Sequence, residues 1–267
     1  RMTEIILTFF FITILLLFLS SGVWVALSMV GVSTIGMILF TSRPVGDAMA
    51  TTIWGTSSSW TLTALPLFVW MGEILFRTKL SQNLFEGLSP WMQRLPGGLI
   101  HVNVVGCALF AAISGSSAAT VATVGKMSIP ELRKRNYPEK ILLGSLAGSG
   151  TLGLLIPPSI ILIIYGVTVQ ESIAKLFMAG ILPGVMIAII FMGYVMVWSI
   201  INKKKMPEIS ENFSLIEKIK KSGQLIPVIA LILAVIGSIY SGIATATEAA
   251  SLGVLGALLL SFLQKSL

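Results

Sequence analysis

GSLAGSGTLGLLIPPS, residues 144–159, places four glycines and a Pro-Pro pair inside an apolar run that extends from about 141 to 166. In a helix interior glycine costs about 1 kcal/mol relative to alanine, and proline about 3. Gly148, Gly150 and Gly153 permit backbone dihedrals that other residues avoid. Pro157 and Pro158 lack N–H donors and leave carbonyls one turn earlier without helix partners. One proline is enough for a kink. The combination instead predicts a span broken near its middle, with an unwound segment between two half-helices.

The rest of the chain makes this a membrane question. Its 267 residues are 55% hydrophobic and 11% charged, with a mean hydropathy of +0.94. Soluble domains carry about 25% charged residues. Apolar segments lie at about 5–20, 22–40, 59–76, 99–125, 141–166, 173–200, 225–242 and 247–264. They lack the alternation of barrel strands, so the expected class is an all-α integral membrane bundle. Residues 5–19 read as a retained first span. Glu4 precedes them, only Arg1 is basic, and no small-residue cleavage site follows. The net charge of +7 fits basic cytoplasmic loops rather than nucleic-acid binding. The single cysteine, Cys107, excludes an internal disulfide, and the lone His101 argues against a metal centre or a Ser-His-Asp enzyme.

Positive charge orients the spans. The clusters are Arg77, Lys79 and Arg94; then Lys126, Arg133, Lys134, Arg135 and Lys140; then Lys203–Lys205 with Lys218, Lys220 and Lys221. All can face the cytoplasm if 141–166 and 173–200 cross out and back, and if 225–242 and 247–264 do the same, ending at Lys265. Residues 99–125 then have both ends on one side, and their middle reads AAISGSSAAT. A re-entrant hairpin turning at SGSS satisfies this, and its tip must be enclosed by protein or a watery cavity. Residues 81–95 have the spacing of an interfacial amphipathic helix, with Trp91 and Arg94 as anchors. Residues 202–223 read as a polar linker.

Two acids near the spans have structural explanations. Glu73 stands four residues before Arg77, an i,i+4 pair. Thr245 and Glu248 in TATE match a capping box. Ser114, Ser116 and Ser117 offer hydroxyl oxygens suited to a hard monovalent cation, or they simply permit close helix packing. A broken helix beside a re-entrant hairpin favours an ion or substrate site, because discontinuous helices with freed carbonyls hold coupling ions in secondary transporters.

ALPLFVWMGEILF (64–76), AAISGSSAATVATVGKMSIPELRKRNYPEK (111–140), GSLAGSGTLGLLIPPSIILIIYG (144–166) and GIATATEAASLGVLGALLL (242–260) together resemble one family. It is the large membrane (M) subunit of tripartite ATP-independent periplasmic (TRAP) transporters, of which this chain resembles the N-terminal part. Ala246 stands where the family usually has proline, and Thr120 where some relatives carry an acid. The resemblance implies a sodium-coupled, elevator-type importer in the bacterial inner membrane, with no enzymatic activity and no cofactor beyond sodium as coupling ion. Its partners would be a small four-helix membrane subunit, a periplasmic substrate-binding protein and a small organic acid. Carried over, the sodium ligands are Ser114 and Ser116 with backbone oxygens near Gly153, Ile156 and Pro158. Candidates for the substrate cavity are Ser117, Thr120, Gly150, Thr151 and Pro157.

The implied organisation is N-terminal spans and interfacial helix over 1–98, a transport core of hairpin and broken helix over 99–166, and a following span over 167–201. A linker over 202–224 and the start of an inverted second repeat over 225–267 complete it. The family runs considerably longer, so the expectation is a fragment, a truncated reading frame, or a chain whose remainder is supplied separately. The alternative class is an ion channel or membrane scaffold with a re-entrant hairpin and no coupled transport.

Overall fold

The computed structural model describes residues 2–78, 80–207 and 213–263. Lys79 and Lys265, used above to orient the chain, lie outside them. The described residues form helices and no strand. They divide into two compact units, Arg1–Ser58 and Ser59–Leu267.

The first unit holds α1 (Met2–Ser20), α2 (Val25–Phe40) and α3 (Val45–Ser57). Helices α1 and α2 meet through small residues facing rings: a side-chain carbon added at Gly36 would stand 2.7 Å from the Phe11 ring. Helix α3 has no counterpart among the apolar runs and buries none of its side chains. Its start was nonetheless marked, with Pro44 just before it and Asp47 in its first turn.

The second unit contains α4 (Ala64–Arg77), α5 (Leu80–Met92), the hairpin arms α6 (Ile100–Ser114) and α7 (Ser117–Lys134), and the halves of the broken span, α8 (Glu139–Gly150) and α9 (Ile160–Val169). It continues with α10 (Ile173–Ile201), α11 (Leu215–Ser222), α12 (Ile226–Tyr240) and α13 (Ala246–Leu263). Helix α10 has the length of a full crossing; α11 and α12 join through a short 3-10 turn into a second such run, Leu215–Tyr240, and α13 makes a third. The linker therefore holds a helix that propensity alone hid. A complete capping box announces it, with Ser214 N–H donating to Glu217 and Glu217 N–H donating to the Ser214 hydroxyl. The TATE box closes in the same way: Thr245 N–H donates to the Glu248 carboxylate at 2.8 Å.

One core runs through this unit, centred on Phe68, Phe110, Phe177, Met71 and Leu132, all 2% exposed or less. Helix α5 forms where the interfacial helix was expected, but protein covers its apolar face: Leu84, Phe85 and Leu88 are buried in that core. Gly87 makes room for Leu225, which would lie 2.7 Å from a side-chain carbon there. Trp91 keeps one face exposed, donates its indole N–H to Ser222 at 2.7 Å, and lies under the Lys218 ammonium.

Members of all three basic clusters meet. Arg77, Lys126, Arg135 and Lys221 line a cavity of about 690 Å³, and Arg94, Lys203 and Lys204 line another of about 700 Å³. A common side for the clusters, required by the crossing pattern, is thus present in the packing. Arg133 pairs with Glu139 across the α7–α8 turn and holds that carboxyl below the usual range.

The α4–α13 contact depends on a small residue. A side-chain carbon at Gly253 would stand 2.5 Å from the Met71 sulfur, whereas one at Gly237 meets nothing within 4 Å. Overpacking of this kind costs about 1–3 kcal/mol. Gly253→Val should lower the thermal midpoint of the detergent-purified chain by several degrees, and Gly237→Val should leave it within a degree.

Candidate functional site

The sequence SGSS builds a turn from two opposed tendencies. Helix α6 stops at Ser114 because Gly115 takes the left-handed conformation, φ +60°, which glycine adopts without strain. Ser116 is extended and caps α7, its hydroxyl accepting the Ala119 N–H at 3.4 Å. Two antiparallel arms result, joined at a tip two residues long.

The break in the second span is equally local. Helix α8 ends at Gly150, a 3-10 turn covers Thr151–Leu154, the Pro157–Pro158 bond is cis, and α9 starts after the extended Ser159. The glycines act differently from the expectation. None of those at 144–153 has a positive φ, and Gly150 is itself helical at φ −59°, ψ −28°. Gly150 and Gly153 provide room rather than unusual dihedrals. A side-chain carbon at Gly153 would lie 2.9 Å from the Ser117 nitrogen. At Gly150 it would collide with the Val121 side chain. The prolines do free carbonyls, and Ser159 recaptures one of them: its hydroxyl donates to Leu154 O at 2.8 Å.

Tip and break are seated on one another. Ile160 N–H, a free donor at the start of α9, donates to Gly115 O at 3.3 Å. A side-chain carbon at Gly115 would stand 2.7 Å from Pro158 O. The structure therefore gathers Ser116, Ser117, Gly150, Gly153 and Pro158 at one junction. Ser114 is buried beside it, with its hydroxyl 2.9 Å from that of Thr120 and accepting Ser116 N–H at 3.4 Å. The Ser117 hydroxyl is buried with no hydrogen-bond partner.

Three candidates stand apart from this contact. Ile156 packs toward α10, where a side-chain carbon on Gly184 would lie 2.8 Å from it, and its N–H is used by Leu152 O. Thr151 is exposed, and its hydroxyl donates to Gly148 O at 2.6 Å. Pro157 is buried beside Pro158.

Helix α4 closes the other side of the tip, with Gly72 so near that an added carbon would be 2.9 Å from Ser114 Cα. A cavity of about 230 Å³ opens there, lined by Gly72, Glu73, Phe76, Ser114, Ser116 and Ile160 among others. Glu73 is paired with Arg77 at 2.9 Å, as the spacing required. Its place in the tip cavity had no sequence signal, because α4 and α6 are linked only by packing. Phe76 also borders the basic cavity of about 690 Å³, and Lys126 lies 5.8 Å from its ring centre.

The oxygens offered at the junction are neutral hydroxyls and carbonyls, and the Glu73 carboxylate beside it is paired with Arg77. Among the described residues no three His, Cys, Asp or Glu side chains gather into a metal-binding group. Such a donor set suits a monovalent hard cation and offers nothing to a transition metal. The junction's geometry is testable by itself. Gly115→Ala should cost about 1–2 kcal/mol from the left-handed backbone alone. It should also accelerate hydrogen exchange at the Ile160 amide, while Gly144→Ala, facing open space, should leave that amide unchanged.

Comparison with known proteins places this architecture. The family described as tripartite ATP-independent periplasmic transporter, DctM component, matches residues 11–267. The chain is 35% identical over 221 residues to the C4-dicarboxylate TRAP transporter large permease protein DctM of Pseudomonas aeruginosa, covering 83% of this chain and 51% of that protein. It is 34% identical over 247 residues to the sialic acid TRAP transporter large permease protein SiaM of Vibrio cholerae, covering 91% and 56%. With the ectoine TRAP transporter large permease protein TeaC of Halomonas elongata it shares 37% over 204 residues, covering 75% and 46%. The chain thus spans about half the length of the curated relatives it matches. It belongs to the DctM component family of tripartite ATP-independent periplasmic transporters.

Proposed function

We propose that this chain is the N-terminal part of the large permease subunit of a sodium-coupled secondary transporter that imports a small organic acid by an elevator-type motion. The observation that carries the reading is the hairpin tip seated on the broken helix, with the Ser117 hydroxyl buried and unpartnered at the junction. A buried hydroxyl without a partner costs roughly 1–3 kcal/mol, and a bound cation would recover that loss. Sodium would be held by Ser114 and Ser116 with backbone oxygens from the 153–158 segment, and the ion would cross as co-substrate. Thr120, Gly150, Thr151 and Pro157 are the chain's contribution to the substrate cavity, and Ser117, at the junction itself, borders both that cavity and the ion.

Family membership supports the partners: a small four-helix membrane subunit and a periplasmic binding protein in the bacterial inner membrane. Relatives named for a C4-dicarboxylate, sialic acid and ectoine leave the class at small organic acids. The cavity lined by Arg77, Lys126, Arg135 and Lys221 together with Glu86 and Glu131 adjoins the tip cavity at Phe76 and, with cations in excess, would receive a released anion.

The complete permease, reconstituted in liposomes with its small subunit and binding protein, should accumulate substrate only under an inward sodium gradient. Undiminished uptake without sodium would refute the coupling. Ser114→Ala should raise the sodium concentration for half-maximal uptake roughly tenfold, the loss of one oxygen ligand on an ion. Ser117→Ala should leave thermal stability in sodium-free buffer unchanged or higher, and should shrink the stabilisation that sodium confers.

A further inference from the structure

A second basic cavity takes no part in the proposed transport path. It holds about 700 Å³ where the α5–α6 loop, Tyr137 and the end of α10 converge. Among the described residues its charged lining consists of Arg94, Lys203 and Lys204, with no acid, and none of the three makes an ion pair with a described residue. The floor is backbone: Gly97 and Gly98 have φ +106° and +53°, and a side chain on Gly98 would collide with the Tyr137 hydroxyl. That hydroxyl accepts the Leu99 N–H at 3.0 Å, and its own proton has no acceptor among the described residues. A phosphate oxygen entering the cavity would meet three cations and a phenolic donor.

The surroundings indicate where that phosphate comes from. Lys203 is separated only by Asn202 from the end of α10, a helix of 29 residues with the length and hydropathy of a crossing, so the cavity lies at the end of a span. Ile190, Tyr194, Val197 and Ile201 follow one another at helical spacing on α10 and are 56–76% exposed. This bare apolar stripe leads to Ile200 in the cavity wall. Acyl chains along the stripe would put a headgroup at the level of the lysines. Basic recesses between helix ends on the cytoplasmic side are suited to anionic headgroups.

The geometry points to a binding site for an anionic phospholipid, its phosphate among Arg94, Lys203, Lys204 and the Tyr137 hydroxyl, and its acyl chains along α10. The site anchors the α5–α6 loop to the end of α10.

The test uses the full chain, delipidated in detergent and titrated with phosphatidylglycerol, phosphatidylcholine or inorganic phosphate, and read by native mass spectrometry and thermal midpoint. Phosphatidylglycerol should bind and raise the midpoint, and phosphatidylcholine should bind at least tenfold more weakly. Each cation removed should weaken phosphatidylglycerol binding by about fivefold, so Arg94→Gln with Lys203→Gln and Lys204→Gln should together cost roughly a hundredfold. Lys134→Gln with Lys205→Gln and Lys220→Gln makes the same charge change outside the cavity lining and should cost less than threefold. All six positions are exposed, and the midpoint in phosphatidylcholine checks that each variant is folded. Equal binding of the two lipids, or equal loss in both triple variants, would overturn the site. Inorganic phosphate that raised the midpoint as much as phosphatidylglycerol would overturn its assignment to a lipid.

Discussion

Two interrupted helices complete each other in this fold. A chain that turns inside a bilayer leaves backbone donors and acceptors that lipid cannot satisfy. Helix α6 ends with a carbonyl at Gly115, α9 begins with an amide at Ile160, and the two are hydrogen-bonded. Neither interruption is stable facing hydrocarbon; each becomes tolerable when laid against the other. The glycines follow from that requirement, since Gly115, Gly150 and Gly153 all stand where the opposite segment leaves no space for a side chain.

The fold was largely legible because hydropathy reports crossings directly. Every apolar run became a helix or a broken pair, and members of the three basic clusters meet around one cavity. The hairpin was legible for a different reason: both its ends had to lie on one side. What hydropathy could not find were helices without an apolar run. Helix α11 was readable from Ser214 and Glu217, a local hydrogen-bond pattern. Helix α3 had only Pro44 and Asp47 to mark it.

Within the site, sequence identified the two segments but not how they interlock. The glycines suggest conformational freedom along the chain, whereas Gly150 and Gly153 are there for closeness. Closeness depends on what lies opposite, and no pattern along one segment contains that. The same limit hid Gly72 and Glu73, which reach the tip from α4. Ser159, which satisfies the carbonyl freed by Pro158, belongs to a different category. A hydroxyl directly after a proline pair could have been read as a local acceptor's partner.

The contact between Gly115 and Ile160 also sets an order of assembly. Helix α7, from Ser117 to Lys134, carries Lys126, Glu131, Arg133 and Lys134 within eighteen residues and cannot enter a membrane unaided. Its place exists only once α9 has been synthesised, some forty residues after the tip itself. The serine turn therefore reaches its hydrogen-bonded seat only with that helix in place. It takes its final depth as a unit with the helix that follows.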